Sequence, residues 1–164
     1  VPIVRIIEPT CEIANKQKGN LLVLATNYTI KSNAYSKFLN DLNYYRVCCS
    51  EWVDIIENGK AGTDISRESA NRLLGEYKNK VDNVILACTH FGLMEKEIKE
   101  VIGDVNIINS SKCLKDKVKE VLDKIGYNSS KEAKVIIQCS GKKEDFNISY
   151  LDLKYDILEE IKIK

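Results

Sequence analysis

The sequence predicts an α/β fold with a mainly parallel sheet flanked by helices. Short runs of β-branched and other apolar residues alternate with longer amphipathic stretches, which is the pattern of strands joined by crossover helices. Two runs, Leu21–Leu24 and Val84–Ala87, are continuously apolar, as expected for strands covered on both faces. The 164 residues, 44% hydrophobic and 30% charged, suit one compact domain or slightly more and exclude a disordered or fibrous chain.

The predicted strands and helices alternate along the chain. Strands are predicted at residues 3–7, 21–26, 44–48, 83–87, 105–108 and 134–138. Helices are predicted at residues 9–17, 29–41, 50–58, 64–79, 93–102, 112–125 and 151–162. Pro9 is expected at the first position of its helix, and Gly19-Asn20 after the end of that helix. Thr63 and Ser111 are expected to cap the helices that follow them.

The charge balance argues against nucleic acid and membrane as partners. Twenty-five basic and 24 acidic residues leave a net charge of +1, so no broad cationic surface is expected. No apolar run approaches the ~20 residues that span a bilayer, and the first residues lack the pattern of a secretion signal. We therefore expect a cytoplasmic protein that binds neither nucleic acid nor membrane.

The cysteines do not have the paired spacing of a metal site, because the sequence contains neither C-x-x-C nor H-x-x-x-H. They are Cys11, Cys48, Cys49, Cys88, Cys113 and Cys139. No metal is expected, and a disulfide between the neighbours Cys48 and Cys49 would force an awkward turn. In a reducing compartment most of these thiols are expected to be small buried side chains, and a reactive one must be identified by its neighbours.

The segment Val84–Gly92 carries the clearest chemical signal, because an apolar strand leads directly into Cys88-Thr89-His90. Ligands collect beyond the carboxyl ends of strands in open α/β sheets, so Cys88 and the single histidine, His90, are expected at the rim of a cleft. An adjacent imidazole can increase the thiolate fraction of Cys88. A buried cysteine beside a structural histidine fits the same pattern, and the spacing does not distinguish proton abstraction from covalent attack.

Hydroxyl side chains follow the first apolar strand at every third position, as Thr26, Thr29 and Ser32. This spacing places them near one side of the first turns of a helix, where free N–H groups can bind a carboxylate or phosphate. The segment lacks the glycines of a phosphate loop, which favours a small carboxylate. Ordinary helix capping by Thr26 or Asn27 explains the same pattern.

A third segment contains Trp52 and Glu57. Trp52 is spaced from Ile55 and Ile56 as on the packing face of a helix. Glu57 is either a solvated surface acid or a carboxylate that faces the cleft and orients His90. The sequence leaves both interpretations of Glu57 open.

Taken together and in this order, these segments resemble the glutamate racemases and the wider aspartate/glutamate racemase superfamily. The resemblance is carried by Ile7-Glu8-Pro9, Ala25-Thr26-x-x-Thr29-x-x-Ser32-x-x-Tyr35, Cys49 through Glu57-Asn58-Gly59, and Ala87-Cys88-Thr89-His90. It extends over residues 1 to about 110 and, more weakly, over residues 135–141, which look like the last strand of the family.

The resemblance implies a cofactor-independent racemase that converts L-glutamate to D-glutamate for peptidoglycan. Such enzymes have two α/β domains, each of which contributes a cysteine on opposite faces of the α-carbon. By this match Cys88 is one of the two acid/base thiols and His90 assists it. The implied substrate-binding residues, for glutamate or a similar dicarboxylate, are Thr89, Thr26 and Thr29, and the implied supporting residues are Glu57 and Ser32.

The sequence also departs from the family pattern. Phe91-Gly92 replace the usual Tyr-Pro, Ala25 replaces a glycine, Ser50 replaces a proline, and Asn109-Ser110 replace Asp-Ser. These changes favour a diverged member with altered substrate choice or activity.

The N-terminal segment of the family, with its Asp-Ser and the Ala-Cys-Asn-Thr that holds the other catalytic cysteine, has no counterpart here, so racemisation is not expected of this chain alone. We therefore expect a fragment or a naturally shortened relative. Residues 1–110 are expected to resemble the second domain, and residues 111–164 to supply strands and helices that would complete the first. Composition alone favours a break near residues 59–62.

Two further hypotheses remain beside the racemase. A non-catalytic remnant could bind a dicarboxylate, or dock against a second copy or a complementary chain, because an unfilled half-domain exposes an apolar patch. A related reaction on another small dicarboxylate or a hydantoin would use Cys88 as a nucleophile.

Overall fold

The computed structural model describes residues 2–40, 44–126, 134–145 and 153–162. The chain forms two compact units, Val1–Gly126 and Tyr127–Lys164. The break favoured near residues 59–62 is wrong, because these residues lie inside the first unit, where the N–H of Gly62 donates to the buried Glu97 at 2.6 Å. The proposal that residues 111–164 complete another domain of the family stays a prediction.

The first unit is built on a parallel sheet, which confirms the predicted fold class. In the described part of the chain its strands are β1 (Leu21–Ala25), β2 (Tyr45–Cys48), β3 (Asn83–Leu86) and β4 (Asn106–Asn109). Their spatial order is β2-β1-β3-β4, with every pair parallel. The carboxyl ends of all these strands therefore lie at one edge of the sheet.

Helices alternate with these strands along the chain. They are α1 (Ile7–Ala14), α2 (Asn27–Ser32), α3 (Glu51–Glu57), α4 (Asp64–Leu74), α5 (Glu95–Ile102) and α6 (Ser110–Ile125), with 3₁₀ helices at Tyr35–Lys37, Gly75–Tyr77 and Thr89–Met94. The central strands β1 and β3 are buried along almost their whole length, as their apolar runs predict. Among the residues described, no helix has the length and apolar character needed to cross a membrane.

The core on one face of the sheet contains thiols as well as aliphatic side chains. Its members are Cys11, Ala14, Val23, Ala25, Tyr35, Leu39, Ile85, Ile108 and Cys113. Cys49 and Cys139 are also buried, whereas Cys48 is exposed and Cys88 is half-buried. Every cysteine is a free thiol, so the neighbours Cys48 and Cys49 are not bonded to each other.

The strand predicted at residues 3–7 is wrong, because residues 2–5 have no regular structure and α1 begins at Ile7. Ile3 is 89% exposed, so it does not contribute to the core. Pro9 is the third residue of α1 rather than the first, a position in the first turn where its missing N–H is still tolerated. The hydroxyl of Thr10 donates to the carbonyl of Ile6 at 2.7 Å.

Several helix ends also differ from the predicted ones. The helix predicted to reach residue 41 stops at Ser32, because Asn33 has a left-handed φ of 51°. Thr63 precedes α4 as predicted, but its hydroxyl donates to the carbonyl of Lys60 instead of accepting a helix N–H. The N-cap of α6 is Asn109 rather than Ser111, and its side chain accepts the N–H of Ser111.

The second unit contains β5 (Ile136–Cys139) and β6 (Ile157–Glu160), which pair in parallel, and a 3₁₀ helix at Lys143–Asp145. The strand predicted at residues 134–138 is therefore present. The helix predicted at residues 151–162 is wrong, because residues 157–160 form β6 and pair with β5. Residues 151 and 152 lie outside the described residues.

Candidate active site

The candidate active site lies beyond the carboxyl ends of β1 and β3, which are neighbours in the sheet. The chain passes from β1 to β2 on one side and then returns to β3 on the other side of β1. Ligands of open α/β folds bind in the crevice at such a reversal of strand order. Thr26 directly follows β1, and Cys88 lies two residues after the end of β3.

Cys88 occupies the turn between β3 and the 3₁₀ helix Thr89–Met94. Its own backbone is extended, and its carbonyl accepts the N–H of Phe91 at 3.2 Å, which closes the turn. The side chain is half-buried, and its Sγ lies 3.7 Å from Nδ1 of His90. The structure therefore brings together the thiol and the imidazole that the sequence predicts at this rim.

Burial raises the pKa of the Cys88 thiol. Hydrogen bonds from the backbone N–H groups of His90, Phe91 and Thr89 and from the Thr89 hydroxyl act in the opposite direction, and the net shift is upward. The structure thus favours the thiol over the thiolate. The raised pKa is opposite to the expectation that the neighbouring imidazole increases the thiolate fraction of Cys88. The reason is that the loss of hydration on burial has a larger effect than the hydrogen bonds to the sulfur.

His90 connects Cys88 to a carboxylate. Its Nε2 lies 3.0 Å from Oε1 of Glu57, while its Nδ1 faces the thiol. The side chain of Glu57 is 50% exposed and that of His90 is 24% exposed, so Glu57 both contacts solvent and orients the imidazole. When Nε2–H donates to this carboxylate, Nδ1 has a lone pair that can accept the thiol proton.

The threonines expected to bind substrate fall into two groups. Oγ1 of Thr26 and Oγ1 of Thr29 lie 3.3 Å apart at the start of α2. The Thr89 hydroxyl bonds to Cys88, so it belongs to the thiol turn. The Ser32 hydroxyl donates to the carbonyl of Thr29 at 2.9 Å. Its proton is therefore bonded within α2.

Ser50, noted in the sequence only as a departure from the family pattern, contacts the start of α2. Its Oγ accepts the N–H of Asn27 at 2.8 Å, so this N–H at the start of α2 already has a partner. Ser50 Oγ also lies 3.3 Å from Sγ of Cys48, at the carboxyl end of β2. Only the adjacency of β1 and β2, where Ala25 pairs with Cys48, reveals this contact.

Two buried contacts support the elements that carry the site. Trp52 of α3 packs edge-on against Phe91, with ring centroids 5.2 Å apart, and its indole N–H donates to Ser69 at 2.9 Å. This confirms the predicted packing role of Trp52. The buried Glu97 accepts the N–H of Gly62 and the hydroxyl of Ser66, which fixes the segment that follows Glu57.

The site holds acid/base groups rather than a metal-ligand set. Within residues 2–40, 44–126, 134–145 and 153–162, no three His, Cys, Asp or Glu side chains are grouped as metal ligands. The series Glu57, His90, Cys88 can move a proton at Sγ, because each group contacts the next.

Comparison with known proteins identifies a racemase family. The family model described as Asp/Glu/Hydantoin racemase matches residues 1–118. The glutamate racemase of Aquifex pyrophilus is 36% identical over 118 residues, which cover 70% of this chain and 46% of that protein. The glutamate racemase of Pediococcus pentosaceus is 33% identical over 175 aligned positions, covering 99% of this chain and 66% of that protein.

A solved structure shows the same fold. The glutamate racemase of Thermus thermophilus, in complex with beta-chloro-D-alanine, matches with a TM-score of 0.91 and 19% identity, covering 99% of this chain and 64% of that one. The chain thus spans about half to two thirds of the length of the relatives that it matches.

Proposed function

Because the chain belongs to the Asp/Glu/hydantoin racemase family, we propose that Cys88 exchanges the α-proton of glutamate without a cofactor. The observation that carries this proposal is the series of contacts from Glu57 to His90 to Cys88 at the carboxyl end of β3. The names of the relatives support glutamate as the substrate and its other enantiomer as the product. The use of D-glutamate for peptidoglycan is what the family resemblance implies. The free thiols are consistent with a reaction in the reducing cytoplasm.

The proton transfers follow from the positions of the three groups. His90 accepts the thiol proton at Nδ1, and the imidazolium is stabilised by Glu57 at Nε2. The Cys88 thiolate then removes the α-proton of the substrate, which leaves a carbanion and restores the thiol. Return of the proton from Sγ reverses the step, so the thiol serves as both base and acid.

The negative charge of the carbanionic state spreads onto the substrate carboxylate and needs hydrogen-bond donors. We assign this role to the Thr26 and Thr29 hydroxyls, whose Oγ1 atoms lie 3.3 Å apart beside the neighbouring strand end. To Thr89, whose hydroxyl bonds to Cys88, we assign the contact with the substrate on the side of the thiol. Ser32 supports the helix that carries Thr29.

Inversion of the α-carbon requires a second acid/base group on the opposite face. We assign to Cys88 the transfer at one face. The transfer at the other face is assigned to the cysteine of the family's Ala-Cys-Asn-Thr segment, which has no counterpart in this sequence. Proton removal and return by Cys88 can be measured separately, because these steps exchange the α-proton of the substrate with solvent whether or not the configuration of the α-carbon changes.

The test is incubation of each glutamate enantiomer with the chain in deuterated water. We expect deuterium at the α-carbon of one enantiomer without its conversion to the other. Cys88→Ala should abolish the exchange, whereas Cys48→Ala, which removes an exposed thiol, should retain it. Absence of exchange together with absence of binding for both enantiomers would contradict the proposal.

A second candidate function is a non-catalytic module that binds a dicarboxylate or docks against a second copy of the chain. It is favoured by exposed apolar side chains on the paired strands of the second unit, where Ile136 is 50% and Ile157 is 37% exposed. Calorimetric binding of glutamate without any deuterium exchange would favour this candidate over the racemase.

A further inference from the structure

The 3₁₀ helix that follows Cys88 lies directly against the start of α6. A Cβ built on Gly92 would lie 2.8 Å from Nδ2 of Asn109, closer than such atoms pack without a bond. The remaining atom near this Cβ is Cγ of Asn109 at 3.8 Å. Gly92 is not among the glycines with a left-handed backbone, so the contact with Asn109 is what leaves no room for a side chain.

The Asn109 side chain is fixed in this position. Its Oδ1 accepts the N–H of Ser111 at 3.0 Å and that of Lys112 at 3.4 Å, as the N-cap of α6. Rotation of the amide away from Gly92 would break both hydrogen bonds. Nδ2 is therefore held in place and cannot move aside to make room for a side chain at residue 92.

Asn109 also lies at the strand end beside the thiol. It is the last residue of β4, and its partner in β3 is Leu86, two residues before Cys88. Phe91, adjacent to Gly92 in the chain, packs against Trp52 of α3. Two neighbouring residues of the thiol turn are thus supported by different elements of the fold.

We propose that Asn109 is a positioning residue for Cys88, which acts through its close contact with Gly92 to hold the turn whose backbone N–H groups face the thiol. These N–H groups belong to Thr89, His90 and Phe91, so a displaced turn changes their distance from Sγ. The inference concerns the same thiol as the proposed function, but its test requires no racemase activity.

The test is the rate of alkylation of Cys88 by iodoacetamide as a function of pH, measured by peptide mass spectrometry. In Gly92→Ala the new methyl group displaces the turn, so the N–H groups stabilise the thiolate less. We expect the midpoint of the pH profile of Cys88 alkylation to rise by about half a pH unit or more. The alkylation rate of Cys88 at neutral pH would then fall about threefold. Alkylation of the exposed Cys48 in the same samples serves as the internal reference.

The matched control is Gly75→Ala, because Gly75 has a right-handed backbone and open space where its Cβ would lie. This variant should leave the Cys88 profile unchanged. In Gly92→Ala/Asn109→Ser the shorter side chain removes Nδ2 while keeping an oxygen that caps α6. We expect the double variant to recover the profile of Asn109→Ser.

An unchanged Cys88 profile in Gly92→Ala, or a double variant whose profile differs from that of Asn109→Ser, would overturn the proposal. If Gly92→Ala does not fold, Asn109→Ser alone decides the question by hydrogen exchange. The loss of Nδ2 should then speed amide exchange in residues 89–94 without a change in α6. Unaltered exchange in this segment would equally count against a positioning role.

Discussion

Cys88 is subject to two opposing influences on its proton. Burial removes water from the thiolate, whereas the N–H groups of its own turn donate to it. The resulting preference for the thiol is compatible with proton exchange, because Nδ1 of His90 lies 3.7 Å away and can accept the proton when substrate arrives. In the proposed function the imidazole therefore acts as a base toward the sulfur.

We expect alkylation of Cys88 in the unmodified chain to rise with pH through a midpoint above ~8.5, the usual pKa of a free thiol. The sign follows from the raised pKa of Cys88, since a proton held more tightly leaves less thiolate at neutral pH. Iodoacetamide labelling over a pH series, resolved by peptide, measures this midpoint. A midpoint below that of free cysteine would contradict the assignment.

The candidate site was predictable only where its residues are close in the sequence. Cys88 and His90 are two residues apart at the end of an apolar run, and they are in contact in the structure. Glu57 lies 33 residues from His90, so the family resemblance indicated a contact that local spacing could not establish. The contact of Ser50 with Asn27 depends on which strands are adjacent, and no single segment encodes that order.

The elements of the fold could be predicted where burial leaves a distinctive pattern. Strands β1 and β3 are covered on both faces, so their sequences are continuously apolar. Ile3, Ile6 and Ile7 are spaced as on a helix as well as within a strand, so the apolar pattern alone did not distinguish a strand from the start of α1. Strand β6 was mistaken for a helix because its partner β5 lies about 20 residues earlier.

At the same scale, α4 and α5 are joined through a buried carboxylate. Glu97 of α5 is 2% exposed, and its Oε1 accepts the N–H of Gly62 at 2.6 Å and the hydroxyl of Ser66 at 2.7 Å. These bonds fix the beginning of α4 and the segment that connects it to Glu57. The position of Glu57 therefore depends on a residue remote in sequence.

Glu97→Ala should lower the free energy of unfolding by about 2–4 kcal/mol, because it removes the acceptor shared by the Gly62 N–H and the buried Ser66 hydroxyl and opens a cavity. Glu97→Gln keeps an acceptor oxygen and should cost less. Urea denaturation measures both. Glu100→Ala on the same helix removes an exposed carboxylate and should change the stability by less than about 0.5 kcal/mol. Equal changes in the free energy of unfolding for Glu97→Ala and Glu100→Ala would show that the hydrogen bonds accepted by Glu97 contribute little to stability.

On the scale of the whole molecule, the two units differ in how well they cover their apolar side chains. The first unit encloses a sheet with buried central strands. The second pairs only β5 with β6 in the described part of the chain, and Ile136 lies opposite Ile157 with both side chains exposed. Two strands alone are marginally stable in water, so this surface favours association.

We expect the chain to self-associate, with a sedimentation coefficient that falls on dilution. Ile136→Lys should weaken the association by placing a charge on the exposed strand surface. Ile3→Lys, which changes an 89% exposed side chain of the first unit, is the matched control and should have no effect. A monomer at every concentration in sedimentation velocity runs would exclude this behaviour.

The contact between Trp52 and Phe91 has a practical consequence. Trp52 is the single tryptophan of the sequence, and it is fully buried. Its ring packs against Phe91, one of the three residues whose N–H groups face the thiol. Its intrinsic emission is therefore an optical reporter of the turn that requires no label. Ligand titrations and stopped-flow measurements can therefore detect binding at the site from Trp52 fluorescence, even when no reaction takes place.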